Sequence, residues 1–344
     1  MVFWIKNYQR LQNGISNNMT LHHDKDLFQD AVLITAQQKG IREIYIEKDY
    51  WVTLALKTIF ADAIGQDVVF KGGTALSKCF QLIDRFSEDI DVVVLRRAEE
   101  NENQWSKKIK KVSYAVKSLI PEIEVEGITN KRGRIRKTAH DYEKLFEGDF
   151  EQVRDMIIVE ATHLGNFEPF TEATVQSYIA EMMQETGQSE MIKTYQLEPF
   201  TVRVLTIERT FCEKIMSLVR FSFEENPIPK LNDKIRHIYD IHQLLKNEAI
   251  DTFFHSQDFD EMLLKVANDD IRSFKSNNAW LVKHPATALI FSDIDKAWQQ
   301  LKRTYETTFA ALVYGKLPDE KAILQTLEEV SVRLNSIKWT IMEV

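Results

Sequence analysis

The sequence predicts an α+β protein, with a mixed β-sheet flanked by helices and a largely helical C-terminal half. Three observations carry this. Residues 68–95 read as strand, glycine turn, short helix and second strand: Val68-Val69-Phe70, then Gly72-Gly73-Thr74, an apolar helix-like stretch, and Val92-Val93-Val94-Leu95. Residues 154–164 and 195–206 are apolar or alternating and read as further strands. Beyond residue 206 apolar residues recur at helical spacing, and 11 Gly and 7 Pro in 344 residues disfavour an all-β or disordered chain.

That length fits two domains or one elaborated domain, and the patterning divides the chain into a sheet-bearing 1–205 and a helical 206–344 that contributes to the active site. The net charge of −8 argues against bulk electrostatic binding of nucleic acid, so any RNA contact must come from local patches. Cys79 and Cys212 sit in apolar helical patterns and fit a reducing compartment. No run approaches a membrane-spanning length, and Met1 to Ile5 is too short for a signal sequence. The expectation is a soluble, cytoplasmic protein.

Residues 24–39 have helical spacing, with Gly40 as a stop. A second amphipathic helix opens at Ile46 and runs through Phe60. Within it, Lys48 or Asp49 reaches a nucleotide, or the segment is a packed helix end with Trp51 in the core. The second reading is the better supported.

In the central unit, Asp89 and Asp91 lie at i and i+2 and share one strand face, with Ile90 on the other. Carboxylates so placed repel unless a cation lies between them, and hard oxygen ligands at this spacing suit Mg²⁺ together with substrate phosphates. Gly72, Gly73 and Thr74 let backbone N–H groups approach a phosphate, and the following helix points its positive end there. Ser77 and Ser87 add hydroxyl donors. Alone, Gly-Gly-Thr is a turn and Asp-x-Asp a solvated strand end. Together in one short unit they point to phosphoryl or nucleotidyl transfer.

Residues 99–118 read as a solvated, charged helix. Residues 122–126 and 134–137 form a hairpin with a basic tip and return strand at 130–137, comprising Lys131, Arg132, Arg134, Arg136 and Lys137. This patch either holds phosphates of RNA or nucleotide, or keeps an exposed hairpin soluble. Glu160 lies inside an apolar strand, where it is either a third carboxylate of the site or solvent-facing. Residues 171–185 read as helix, 225–232 as a Pro-containing loop, and 259–277, 292–313 and 318–337 as helices. Lys214 lies near the edge of the apolar face of the helix after residue 206. Arg236 and Asp240 are one helical turn apart, a spacing that suits an intrahelical ion pair.

Gly72-Gly73-Thr74-Ala75-Leu76-Ser77 followed by Arg85-Phe86-Ser87-Glu88-Asp89-Ile90-Asp91 resembles the signature of the AbiEii/AbiGii toxin family. Its members are nucleotidyltransferase-like proteins of toxin–antitoxin and phage-defence systems. Glu213-Lys214 and Arg236-His237-Ile238-Tyr239-Asp240 resemble the family's later motifs. The resemblance implies a nucleotidyltransferase-like sheet and transfer of NMP from an NTP to an RNA acceptor, the 3′ end of tRNA, with Mg²⁺. It gives Asp89, Asp91, Lys214 and Asp240 catalytic roles. Gly72, Gly73, Thr74, Ser77, Ser87, Lys214 and Arg236 would bind nucleotide, and Asp89, Asp91 and Glu160 the metal. The partner would be a separately encoded antitoxin that need not form a stable complex. Three alternatives are AMPylation-type transfer to a protein, a GTP/ATP-binding module without transfer, and a nucleotide-sugar glycosyltransferase. The Lys214 and Asp240 motifs argue against the last.

Overall fold

A computed structural model describes residues 20–131, 135–150, 153–163, 168–273 and 278–341. Helix α1 (Lys25–Lys39) starts where Asp24 accepts from the Leu27 amide and stops at Gly40, which takes a left-handed φ of 64°. Helix α2 (Glu43–Ala61) is buried along most of its length, including Glu47, Lys48 and Asp49. Each of these three has a partner: Glu47 accepts from the Leu145 and Phe146 amides, Lys48 donates to the Arg154 carbonyl, and Asp49 pairs with Lys78 at 2.5 Å. The segment is thus a packed one with Trp51 in the core, and neither Lys48 nor Asp49 lines the cleft described below.

The central unit is β1 (Val68–Lys71), α3 (Gly72–Lys78) and β2 (Ile90–Val94). Helix α4 (Glu102–Lys117) opens on a capping box formed by Asn101 and Gln104. It is followed by β3 (Glu122–Ile123), β4 (Ile135–His140), β5 (Ile157–Thr162) and β6 (Phe170–Val175). Next come α5 (Tyr178–Glu185), α6 (Ser189–Thr194) and β7 (Phe200–Leu205). These strands form one sheet in the order β3-β4-β5-β2-β1-β7-β6, with parallel β2/β5 and β1/β7 pairs and the other pairs antiparallel. Ile90, Val92 and Val94 point from β2 into the main apolar core, where α2 and α4 cover the sheet. The intervening Asp91 faces the other side.

The rest is helical: α7 (Ile207–Ser222), α8 (Pro227–Asp233), α9 (Ile235–Leu245), α10 (Glu248–Phe254), α11 (Gln257–Ser273), α12 (Leu289–Ser292), α13 (Ile294–Thr304) and α14 (Glu320–Asn335). Among the described residues no helix is long and apolar enough to cross a membrane.

Three expectations change. Residues 171–175, expected within a helix, belong instead to the edge strand β6 against β7, because Thr171, Thr174 and Val175 are β-branched and the exposed edge needs no apolar alternation. Residues 227–233 are a short helix with Pro at its first turn, a position that needs no N–H. The helix expected over 292–313 breaks at Asp293 and, past Thr304, passes into a π turn.

Candidate active site

Four charged residues stand side by side across the sheet. Lys71 on β1 is in register with Asp91 on β2, Asp91 with Glu160 on β5, and Glu160 with Lys137 on β4. Residues in register share a face, so two carboxylates lie between two ammonium groups. The Lys137 Nζ is 3.2 Å from Glu160, and the Lys71 Nζ is 3.0 Å from Glu213 on α7. Asp89 directly precedes β2, 3.5 Å from Arg154, and its buried Oδ1 accepts no hydrogen bond. Burial first, then the charges of Glu160 and Asp89, push the Asp91 carboxyl up to about 7.

The glycine turn lies against this row. Gly72 has a φ of 84°, and a Cβ there would sit 2.5 Å from Asp91 Oδ2. A Cβ on Gly73 would meet Arg85 Nη2 at 2.7 Å and Ser87 Oγ at 2.9 Å. Backbone and carboxylate therefore touch where any larger residue would separate them. Thr74 is buried, and its hydroxyl meets that of Ser87 at 3.1 Å, tying the turn to the loop before β2.

Behind the turn lies a buried cluster. Arg85 donates to both oxygens of Asp240 at 2.7 Å, and Lys214 donates to Asp240 Oδ2 at 2.6 Å. Burial alone would raise the Asp240 pKa, but Arg85 and Lys214 outweigh it and hold the carboxyl well below the usual carboxylate range. Burial lowers the Lys214 pKa, and Asp240 offsets part of that effect. Asp240 does not line the cleft, whereas Arg85 and Lys214 do. The expected Arg236–Asp240 pair is replaced, because Arg236 reaches Glu88 at 3.6 Å while Asp240 is engaged by Arg85 and Lys214.

The sheet row, the glycine turn and helices α7, α8, α9 and α11 enclose a cleft of about 960 Å³. Gly72, Gly73, Ser87, Asp89, Asp91, Glu160, Lys214 and Arg236 all line it. Ser77 does not; it faces a second cavity of about 440 Å³, with its hydroxyl 3.4 Å from that of Tyr178. Among the described residues, eight Lys and Arg against six Asp and Glu line the main cleft, so it is locally basic in a chain of net charge −8.

The basic hairpin is only partly directed at this cleft. Lys137 lines it. Lys131 is taken up by Glu122 at 2.5 Å and by Glu124. Arg136, on the opposite strand face, is buried and donates to Ser113 Oγ at 2.7 Å. Arg132 and Arg134 lie outside the described residues. Sequence reasoning assigned no role to Lys71, Arg85 or Glu213. Arg85 stood within a quoted motif, but only a contact with Asp240 far along the chain gives it a partner.

Paired carboxylates on neighbouring strands, pressed against a glycine turn and ringed by cations, are groups whose chemistry suits a polyphosphate and a divalent cation. The family model for the nucleotidyl transferase AbiEii toxin of type IV toxin–antitoxin systems matches residues 54–326, and the chain belongs to that family. Among solved structures, MenT4, the nucleotidyltransferase toxin Rv2826c from Mycobacterium tuberculosis H37Rv, is similar at 16% identity. The match covers 87% of this chain and 98% of that one, with a TM-score of 0.39. No curated protein matches the chain.

Proposed function

We propose that this nucleotidyltransferase toxin moves a nucleoside monophosphate from an NTP to a hydroxyl of an RNA, the 3′ end of tRNA, with Mg²⁺. The observation that carries the reading is the register pair Asp91–Glu160 beside the Gly72 backbone. Asp89 and Asp91, with Glu160 as third carboxylate, would hold the metal. The fit rests on this structure: a buried oxygen on Asp89 that accepts no hydrogen bond and has only Arg154 at 3.5 Å, and an Asp91 carboxyl crowded by two other acids. Mg²⁺ bound there supplies positive charge against the substrate phosphates.

The chain's own groups do the rest. The amides of the glycine turn and the Ser87 hydroxyl bind phosphate oxygens. Lys214 and Arg85, seated by Asp240, face the charge that builds on the triphosphate. Arg236 and Lys137 extend the basic lining toward the acceptor. The bond from the acceptor oxygen to the α-phosphorus forms, the α–β anhydride bond breaks, and pyrophosphate leaves. The acceptor proton passes to a carboxylate of the cluster. The partner is the antitoxin of a type IV system.

The test incubates the protein with Mg²⁺, bulk tRNA and each α-labelled NTP in turn. Label on RNA, absent with Asp89→Ala, is the expected result. Label confined to protein contradicts the RNA acceptor, and no label in either fraction contradicts transfer.

A further inference from the structure

Helix α7 lays three chemistries along the cleft. Lys214, Ser217 and Phe221 stand at i, i+3 and i+7 on one helix face, and all three line the cleft. Seven residues of helix rise about 10 Å. The order along the axis is ammonium, hydroxyl, aromatic ring. A nucleoside triphosphate presents phosphate, ribose and base in the same order over a comparable span.

Phe221 is the only Phe, Tyr or Trp among the described residues that line the cleft. It is part-exposed rather than packed away. Lys234 Nζ lies 5.2 Å from its ring centroid and the Arg220 guanidinium 5.5 Å, so the ring sits in a cationic setting that also suits the electron-rich face of a base. On α8, which also walls the cleft, Asn232 donates from Nδ2 to the Ile228 carbonyl at 3.2 Å. That commits one of its two N–H donors. The Asn232 Oδ1 is left buried with no hydrogen bond, an acceptor at the cleft wall with nothing to accept from.

We propose that α7 measures the incoming nucleotide: Phe221 stacks on the base, Ser217 meets the ribose, and Asn232 Oδ1 accepts from an exocyclic amine of the base. Adenine, cytosine and guanine carry such an amine and uracil does not. The inference rests on the proposed nucleotidyl transfer, since the nucleotide is that reaction's donor. With Lys214 fixed at the phosphate end by Asp240, the helix sets where the base falls.

The test is equilibrium binding in Mg²⁺ of the four NTPs and of tripolyphosphate, which carries the charge without ribose or base. Wild-type protein is expected to bind UTP more weakly than the other three, and Asn232→Ala to abolish the difference. Phe221→Ala is expected to weaken ATP, CTP and GTP by about tenfold or more, the loss of one base stack. Its tripolyphosphate affinity should stay within about twofold of wild type. Phe221→Tyr should restore binding. Equal loss of NTP and tripolyphosphate in Phe221→Ala makes the ring structural and overturns the proposal. So does unchanged NTP binding in that variant, or equal binding of all four NTPs by wild type. Wild-type protein that binds neither NTPs nor tripolyphosphate overturns the transfer reading itself.

Discussion

Arg85 grips Asp240 through two parallel hydrogen bonds of 2.7 Å, across 155 residues of chain. Both side chains are buried, and Lys214 completes the cluster at 2.6 Å on the same carboxylate. One acid on α9 therefore seats two cations from α7 and from the loop before β2. Both cations line the cleft. The bidentate geometry fixes the guanidinium plane as well as its position.

Replacing Asp240 by Asn strands two buried cations. Loss of about 3–5 kcal/mol of stability is expected, the usual cost of removing one partner from a buried ion pair. Transfer should fall with it. The folded pKa of Asp240 is depressed below its ordinary 3.8, so its contribution is complete above about pH 4 and is lost only as pH falls through the depressed value. The stability gap between wild type and Asp240→Asn, measured in urea, should be fully open at pH 5 and no larger at pH 8, because Lys214 without Asp240 has its pKa lowered further and sheds its buried charge more readily as pH rises.

Gly72→Ala should abolish transfer while the protein still folds. The new Cβ would sit 2.5 Å from Asp91 Oδ2, at a φ of 84° that favours glycine. The carboxylate must move, and the strand register that places it beside Glu160 resists that. Steady-state transfer together with far-ultraviolet circular dichroism checks both halves of the expectation.

Asp91→Asn should stabilise the protein in EDTA and abolish transfer. Burial and the neighbouring acids raise the Asp91 carboxyl to about 7, so the native state binds more protons than the unfolded chain between about pH 4 and pH 7. Metal-free wild type should lose stability as pH rises through that window, and the Asn variant should lose less. Thermal melts at pH 5 and pH 8 decide it.

Lys48→Met should destabilise the protein although the residue lies off the cleft. Lys48 is fully buried; burial lowers its pKa to about 8, and the charge of Glu88 opposes that lowering. Neither oxygen of Glu88 accepts a hydrogen bond; Arg236 stands 3.6 Å away, and the charge of Arg85, already engaged by Asp240, also acts on it. Removing the lysine leaves that buried carboxylate poorly compensated. Chemical denaturation reads the loss.

The sheet and the Asp-x-Asp strand were legible because their signals are local: an apolar run, a glycine pair, and alternation about Ile90. Glu160 was legible as an acid in an apolar strand, but strand order is not local, and only the sheet makes it the register neighbour of Asp91. Ser77 was grouped with the phosphate-binding turn by proximity in sequence. Five residues past Gly72 a helix has turned to about 140° from its start, and Ser77 faces the second cavity. Lys131 and Arg136 looked free because their acidic partner, Glu122, lies on the neighbouring strand. The edge strand β6 was hidden by its own exposure, which removes the alternation that marks a half-buried strand.

The most direct test of the central claim follows the phosphorus. Parallel reactions with α-labelled and γ-labelled NTP, Mg²⁺ and tRNA would be run with wild type and Asp91→Asn. The expected result is α-label on the RNA, γ-label only in released pyrophosphate, equal amounts of the two, and neither with Asp91→Asn. Label on RNA from γ-labelled NTP, or full α-transfer by Asp91→Asn, would contradict it.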